Sequence, residues 1–179
     1  ELSAFRGVGR AALRRMLLGS TPGEVLDQVR RANPEGSPGC DQVRRSMDSL
    51  ARSGAQIMHA GSHGFPHILD EIPDPPAILF CIGDMDRFTS RPAVAIIGSR
   101  RASQYGLRVA RSLSAGIAVQ GVGIVSGLAR GIDGEAHRGC LDAGGLTMAV
   151  LGSGIDVIYP PEHADLAAEI SLHGAVVSE

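Results

Sequence analysis

Three stretches of this 179-residue chain hold the residue types best suited to chemistry. They are Gly98-Ser99-Arg100-Arg101-Ala102-Ser103, the run SGLARGID from Ser126 to Asp133, and LGSGIDVIYPPEH from Leu151 to His163. Each lies where an apolar run gives way to a helical pattern. Glycine at such a turn lets the backbone approach a ligand closely, and the helix start that follows favours an anion. Ser99, Arg100, Ser126 and Arg130 add hydroxyl and guanidinium donors, and a guanidinium can grip a phosphate with two parallel hydrogen bonds. A glycine at one such turn has a purely steric explanation. Three such loops in register point to phosphate, though not to which phosphate.

The common nucleotide signatures are absent. No GxGxxG follows a strand pattern, no GxxxxGK[ST] occurs, and no GxSxG elbow occurs. There is no lysine: all 17 Lys+Arg residues are arginine, which excludes Schiff-base chemistry and a Walker-type lysine within this sequence. His59, His63 and His67 are spaced by four, but Gly61, Gly64 and Pro66 break any helix that would align them, so no metal site is expected. Asp133 reads first as a helix N-cap and second as a ligand contact. His137 reads as a packing or hydrogen-bonding residue of the same helix rather than a base. Tyr159, before Pro160-Pro161, reads as either a packed turn aromatic or a stacking platform.

The elements that must position these loops follow from periodicity. From Pro92 onward, short apolar runs (AVAIIGS, VGIVSG, LTMAVLGSG, AVVSE) alternate with helical patterns over 104–119, 133–143 and 162–172. That alternation predicts βαβ units, hence an α/β fold with a parallel sheet flanked by helices and ligands at the strand carboxyl ends. Upstream, AILFCIGD reads as a buried strand, AQIMHA as a short one and FPHILDEI as a helical turn. Residues 1–54 read as a separate small helical domain and 55–179 as the core. In the helical part, Leu13, Met16 and Leu17, then Val25, Leu26 and Val29, then Val43, Met47 and Leu50 share helix faces. Phe5 to Leu13 (FRGVGRAAL) has the form of a helix-hairpin-helix turn with Arg10, Arg14 and Arg15 nearby. Its readings, a backbone grip on a DNA phosphate or a solvated basic helix face, stay equally open.

The net charge of -2 conceals a gradient. Residues 91–138 carry seven arginines against Asp133 and Glu135, whereas 139–179 carry six acids and no arginine. Any nucleic-acid contact would therefore come from a patch and not from the whole surface. No apolar run approaches the ~18 residues of a membrane span. The charged start (ELSAFRGVGRAALRR) is not that of a signal peptide. Three well-separated cysteines without a CxxC point away from disulfides and zinc, toward a cytoplasmic protein.

Taken together, FPHILDEIPDPPAILFCIGD, VAIIGSRRAS, VSGLARGIDGEAHRGCLDAGG, AVLGSGIDVIYPPEH and GAVVSE resemble the DNA-processing protein A family (DprA/Smf), in order, over roughly residues 55–179. The resemblance implies an extended Rossmann-like core preceded by a helix-hairpin-helix or SAM-like domain. It implies a protein that binds single-stranded DNA, protects incoming strands in natural transformation and loads the RecA recombinase, as a homodimer, without being an enzyme and without a cofactor. By motif, Ser99, Arg100, Ser126, Gly127, Arg130 and Gly131 would line the phosphate path, with Arg101 and Asp133 on the same two loops and Gly152, Gly154 and Tyr159 on the rim. There are two departures. Many relatives place a basic residue just after the Tyr-Pro pair, where Pro161-Glu162 stand here. The family core also continues past the Ser-Glu pair into a segment with an RNR-like motif, which would supply further pocket, dimer and recombinase surfaces. The alternative is a Rossmann-like nucleotide sensor or a phosphoribohydrolase of the LOG type. Against it, the AGGLTMAV stretch has Gly144, Gly145 and Thr147 but lacks the third glycine, and Val150 stands where a catalytic glutamate would serve.

Overall fold

A computed structural model describes residues 8–32 and 40–179. The chain forms two compact units, Glu1–Leu79 and Phe80–Glu179. The division falls later than the 54/55 boundary at which the helical pattern ends. The reason lies in the core of the first unit, which takes in Ala77 and Ile78 beside Leu13, Leu17, Val25 and Val29.

In the first unit, α1 (Arg10–Gly19) and α2 (Pro22–Ala32) bring those four apolar residues together at four-residue spacing. A capping box starts α2. The Thr21 N–H donates to Glu24 Oε2 (2.8 Å) and the Glu24 N–H returns to Thr21 Oγ1 (3.4 Å), with Pro22 in the first turn. α3 (Cys40–Ser53), β1 (Gln56–His59) and a 3₁₀ turn (His67–Glu71) follow. The expected hairpin turn lies partly outside the described residues, since Phe5 to Gly7 are among those not described. Of its arginines, Arg10 pairs with Asp74. Arg14 is buried: it donates to the Pro76 carbonyl (2.6 Å), pairs with Asp70 and lies 5.5 Å from the Phe65 ring centroid.

The strand order is β1-β2-β6-β5-β4-β3, with β2 over Ile78–Gly83. In the second unit, β3 (Ala93–Ala95), β4 (Gly123–Ser126), β5 (Thr147–Val150) and β6 (Gly174–Ser178) are parallel neighbours. β2 lies antiparallel on β6, Phe80 opposite Ser178, so the sheet is mixed rather than wholly parallel. α5 (Gln104–Ala118), α6 (Ile132–Asp142) and α7 (Ala164–Leu172) make the crossovers. β6 is buried along its whole length, as a strand covered on both faces must be. α5 and α6 approach closely through small residues. A Cβ on Gly139 would lie 2.1 Å from the Arg111 carbonyl oxygen, and Ser114 Oγ donates to the Ala136 carbonyl. A short α4 (Met85–Thr89) has no counterpart in the sequence reading, because five residues are too few to show a period. It is set by its cap, Asp84 accepting the Arg87 N–H (2.8 Å), and by burial of Met85 and Phe88.

Candidate nucleic-acid interface

The loops after β3, β4 and β5 leave neighbouring parallel strands on one edge of the sheet. The first two are tied into one body. Asp133 is 4% exposed, and its carboxylate accepts the N–H of Gly98 (Oδ1, 3.3 Å) and of Gly127 (Oδ2, 3.1 Å). It does not cap α6. The N-cap is Gly131, and Asp133 is the second helical residue, from which its side chain reaches across to both loops. Ser126, 2% exposed, adds a second tie by donating from Oγ to the Ile96 carbonyl (2.6 Å). The Ile132 N–H to the Ser99 carbonyl (3.3 Å) is a third. Gly131 has φ 81°, and a Cβ there would fall 2.3 Å from the Ser99 oxygen, so only glycine lets the loops close on one another.

This arrangement separates the expected site residues into two sets. Asp133 and Ser126 face inward and hold the backbone, and the Gly98 and Gly127 N–H groups already have an anionic acceptor. Ser99, Arg100 and Arg101 are exposed on the locked loop. Ser99 Oγ accepts the Arg101 N–H (3.0 Å), which shapes the turn. Ser103 accepts the Gly106 N–H and starts α5. Among the described residues, the guanidinium groups of Arg100 and Arg101 have no hydrogen-bond or ion-pair partner.

Arg130 differs. Its Nε–H donates to Glu162, and that bond, with the carboxylate's charge, holds the guanidinium pKa above its ordinary value. The Arg130 bond pulls the Glu162 carboxyl down to about 2. Behind Arg130, Leu128 is fully buried with φ 59°, a backbone state that costs a non-glycine residue energy and that its surroundings must hold. His163 supplies part of that hold: its Nδ1–H donates to the Leu128 carbonyl (2.8 Å). The roles of Leu128 and His163 have no local signal in the sequence, since the bond between them joins residues 35 apart.

On the third loop, Gly152 and Tyr159 are exposed, Gly154 lies beside Asp156, and the Tyr159–Pro160 peptide is cis. The Leu151 N–H to the Val177 carbonyl (2.8 Å) and the Ser153 Oγ to the Val157 carbonyl (2.6 Å) order this loop.

His137 is fully buried. Thr147 Oγ1 donates to the Ile124 carbonyl (3.0 Å) and so accepts from His137 Nδ1 (2.7 Å). That leaves the lone pair of Nε2 without a partner among the described residues. Burial first, then the neighbouring His163 and Arg138, pushes its pKa down to about 3. It is a neutral, packed residue at ordinary pH, and its hydrogen bond runs across to β5 and not, as the sequence reading has it, within its own helix.

A largely parallel sheet, helical crossovers and glycine-bearing loops along the carboxyl ends of its strands define a Rossmann-like α/β protein. Residues 56–179 match the DNA recombination-mediator protein A family, and the chain belongs to that family. It is 43% identical over 136 residues to the protein Smf of Synechocystis, covering 74% of this chain and 34% of that protein. DNA processing protein A of Streptococcus pneumoniae superposes with a TM-score of 0.68 at 30% identity, over 89% of this chain and 52% of that one. DNA processing protein A of Helicobacter pylori, whose structure was described for its single-stranded DNA binding mode, superposes with a TM-score of 0.61 at 31% identity, over 69% and 54%. The chain thus spans from a third to about half of these relatives' lengths.

Proposed function

We propose that this chain binds single-stranded DNA by its phosphates along the loops after β3, β4 and β5. The observation that carries the reading is the locked loop pair, which presents Arg100 and Arg101 without an acidic partner among the described residues. A cation held on a rigid backbone loses little freedom when it meets a phosphate. Ser99 and Arg130 would extend the path, Gly127 and Gly131 keep it close to the backbone, and Gly152, Gly154 and Tyr159 form its rim. With few aromatics in the chain, base preference is weak. The family relationship and the DNA-binding relative from Helicobacter pylori support the ligand class. In the cell, the role we propose is non-enzymatic: shielding incoming strands in transformation and passing them to the RecA recombinase, as a homodimer in the cytoplasm. Against a phosphoribohydrolase, the Thr147 hydroxyl is buried between the Ile124 carbonyl and His137, away from any substrate.

The test is fluorescence anisotropy of labelled oligo-dT against a matched duplex at two salt concentrations. The expected result is preference for the single strand, an affinity that falls steeply with salt, and a slope reduced by about 0.7 in Arg100→Ala, the value of one lost phosphate contact. Salt-insensitive binding, or a folded Arg100→Ala that binds like wild type, would overturn it.

A further inference from the structure

The three arginines on the proposed path are not equivalent. Arg100 and Arg101 have no acidic partner among the described residues, whereas Arg130 is engaged by Glu162. The segment carrying Glu162 is fixed to the very loop that carries Arg130. Pro160 is fully buried, and His163, 5% exposed, holds the Leu128 carbonyl two residues before Arg130. One strap therefore grips the loop's backbone with one side chain and its cation with the next. Arg130 and Glu162 are 54% and 50% exposed, so the contact can open without stranding a buried charge.

We propose that Glu162 is a built-in competitor of phosphate for Arg130, so that Arg130 joins the site only when a polyanion displaces the carboxylate. This rests on the phosphate-path reading above. A single phosphate gains little from exchanging places with a carboxylate. A strand already held at Arg100 and Arg101 presents its next phosphate to Arg130 at high effective concentration, and the exchange becomes favourable. Glu162 thereby tunes the site toward chains of phosphates and against isolated ones. Exposed ion pairs hold their partners by roughly one- to five-fold, which bounds the effect.

The experiment is a double-mutant cycle on the full chain, with Glu162→Gln, Arg130→Ala and both together. Each protein is titrated with labelled oligo-dT and, separately, with inorganic tripolyphosphate and inorganic phosphate, after circular dichroism confirms folding. Glu162→Gln is expected to tighten oligo-dT and tripolyphosphate about two- to five-fold and inorganic phosphate by at least as much. Arg130→Ala should weaken the chains, and the double variant should match Arg130→Ala. Tightening of equal size in the Arg130→Ala background would overturn the proposal, because Glu162 would then act by general repulsion. Weakening by Glu162→Gln would overturn it too, because the carboxylate would then position Arg130. If oligo-dT binds no variant while tripolyphosphate shows the cycle, the DNA reading fails and the competitor stands. If neither binds, both fail.

Discussion

Asp133 offers a sharp test of the site's construction, through the change Asp133→Asn. The wild-type carboxylate accepts two backbone N–H groups, at 3.3 and 3.1 Å, while almost wholly buried. Hydrogen bonds to a charged acceptor contribute roughly 1.5–3 kcal/mol each. Asparagine keeps one neutral acceptor, worth about 1 kcal/mol, and turns its NH₂ toward the second N–H, leaving that part-buried donor without its partner. The expected loss is about 2–5 kcal/mol. At roughly 3 °C per kcal/mol for a chain of this size, Tm falls by about 6–15 °C. Urea unfolding followed by circular dichroism measures the loss, and oligo-dT anisotropy below the transition measures the site. Affinity should fall as well, because Gly98 and Gly127 are no longer pinned and the loop bearing Arg100 loosens. A variant as stable as wild type that has lost DNA binding would refute the reasoning and return Asp133 to the role of ligand contact. One unchanged in both would show that the carboxylate does not hold the loops.

Further outcomes follow from neighbouring positions. Gly131→Ala places a Cβ against the Ser99 oxygen in a left-handed backbone, so thermal unfolding should show a loss of about 2–4 kcal/mol; an Ala variant within 0.5 kcal/mol of wild type would contradict the closed loop pair. His137, with its pKa lowered from 6.5 to about 3, makes the folded state bind fewer protons than the unfolded one between those values. Its stabilisation is complete above pH 6.5 and is lost as pH falls. The stability difference between wild type and His137→Asn should therefore shrink by roughly 2 kcal/mol between pH 6.5, where the unfolded imidazole is half protonated, and pH 4.5; a difference constant over that range in urea titrations would rule this out.

Much of the architecture is legible in the chain because its cause is local. The β-run and helix alternation after Pro92 appears as β3 to β6 with α5 to α7, since apolar period and glycine punctuation act within a few residues. The loops at the strand ends are legible for the same reason. What the sequence by itself determined is thus the set of elements, their order, and the placement of arginine, serine and glycine at one edge of a sheet. It also carries, in five ordered motifs, the family to which the chain belongs. Only the tertiary structure decided which of those residues face a ligand. Asp133 turns inward to bonds with Gly98, 35 residues away, and Gly127; Ser126 turns inward to Ile96, 30 away; and Arg130 is met by Glu162, 32 away. It also decided that β2 enters antiparallel beside β6 and that Leu128 is held in a strained turn by His163. These are contacts between groups distant along the chain. No periodicity or spacing encodes them, because they exist only once the parallel strands have brought their ends side by side.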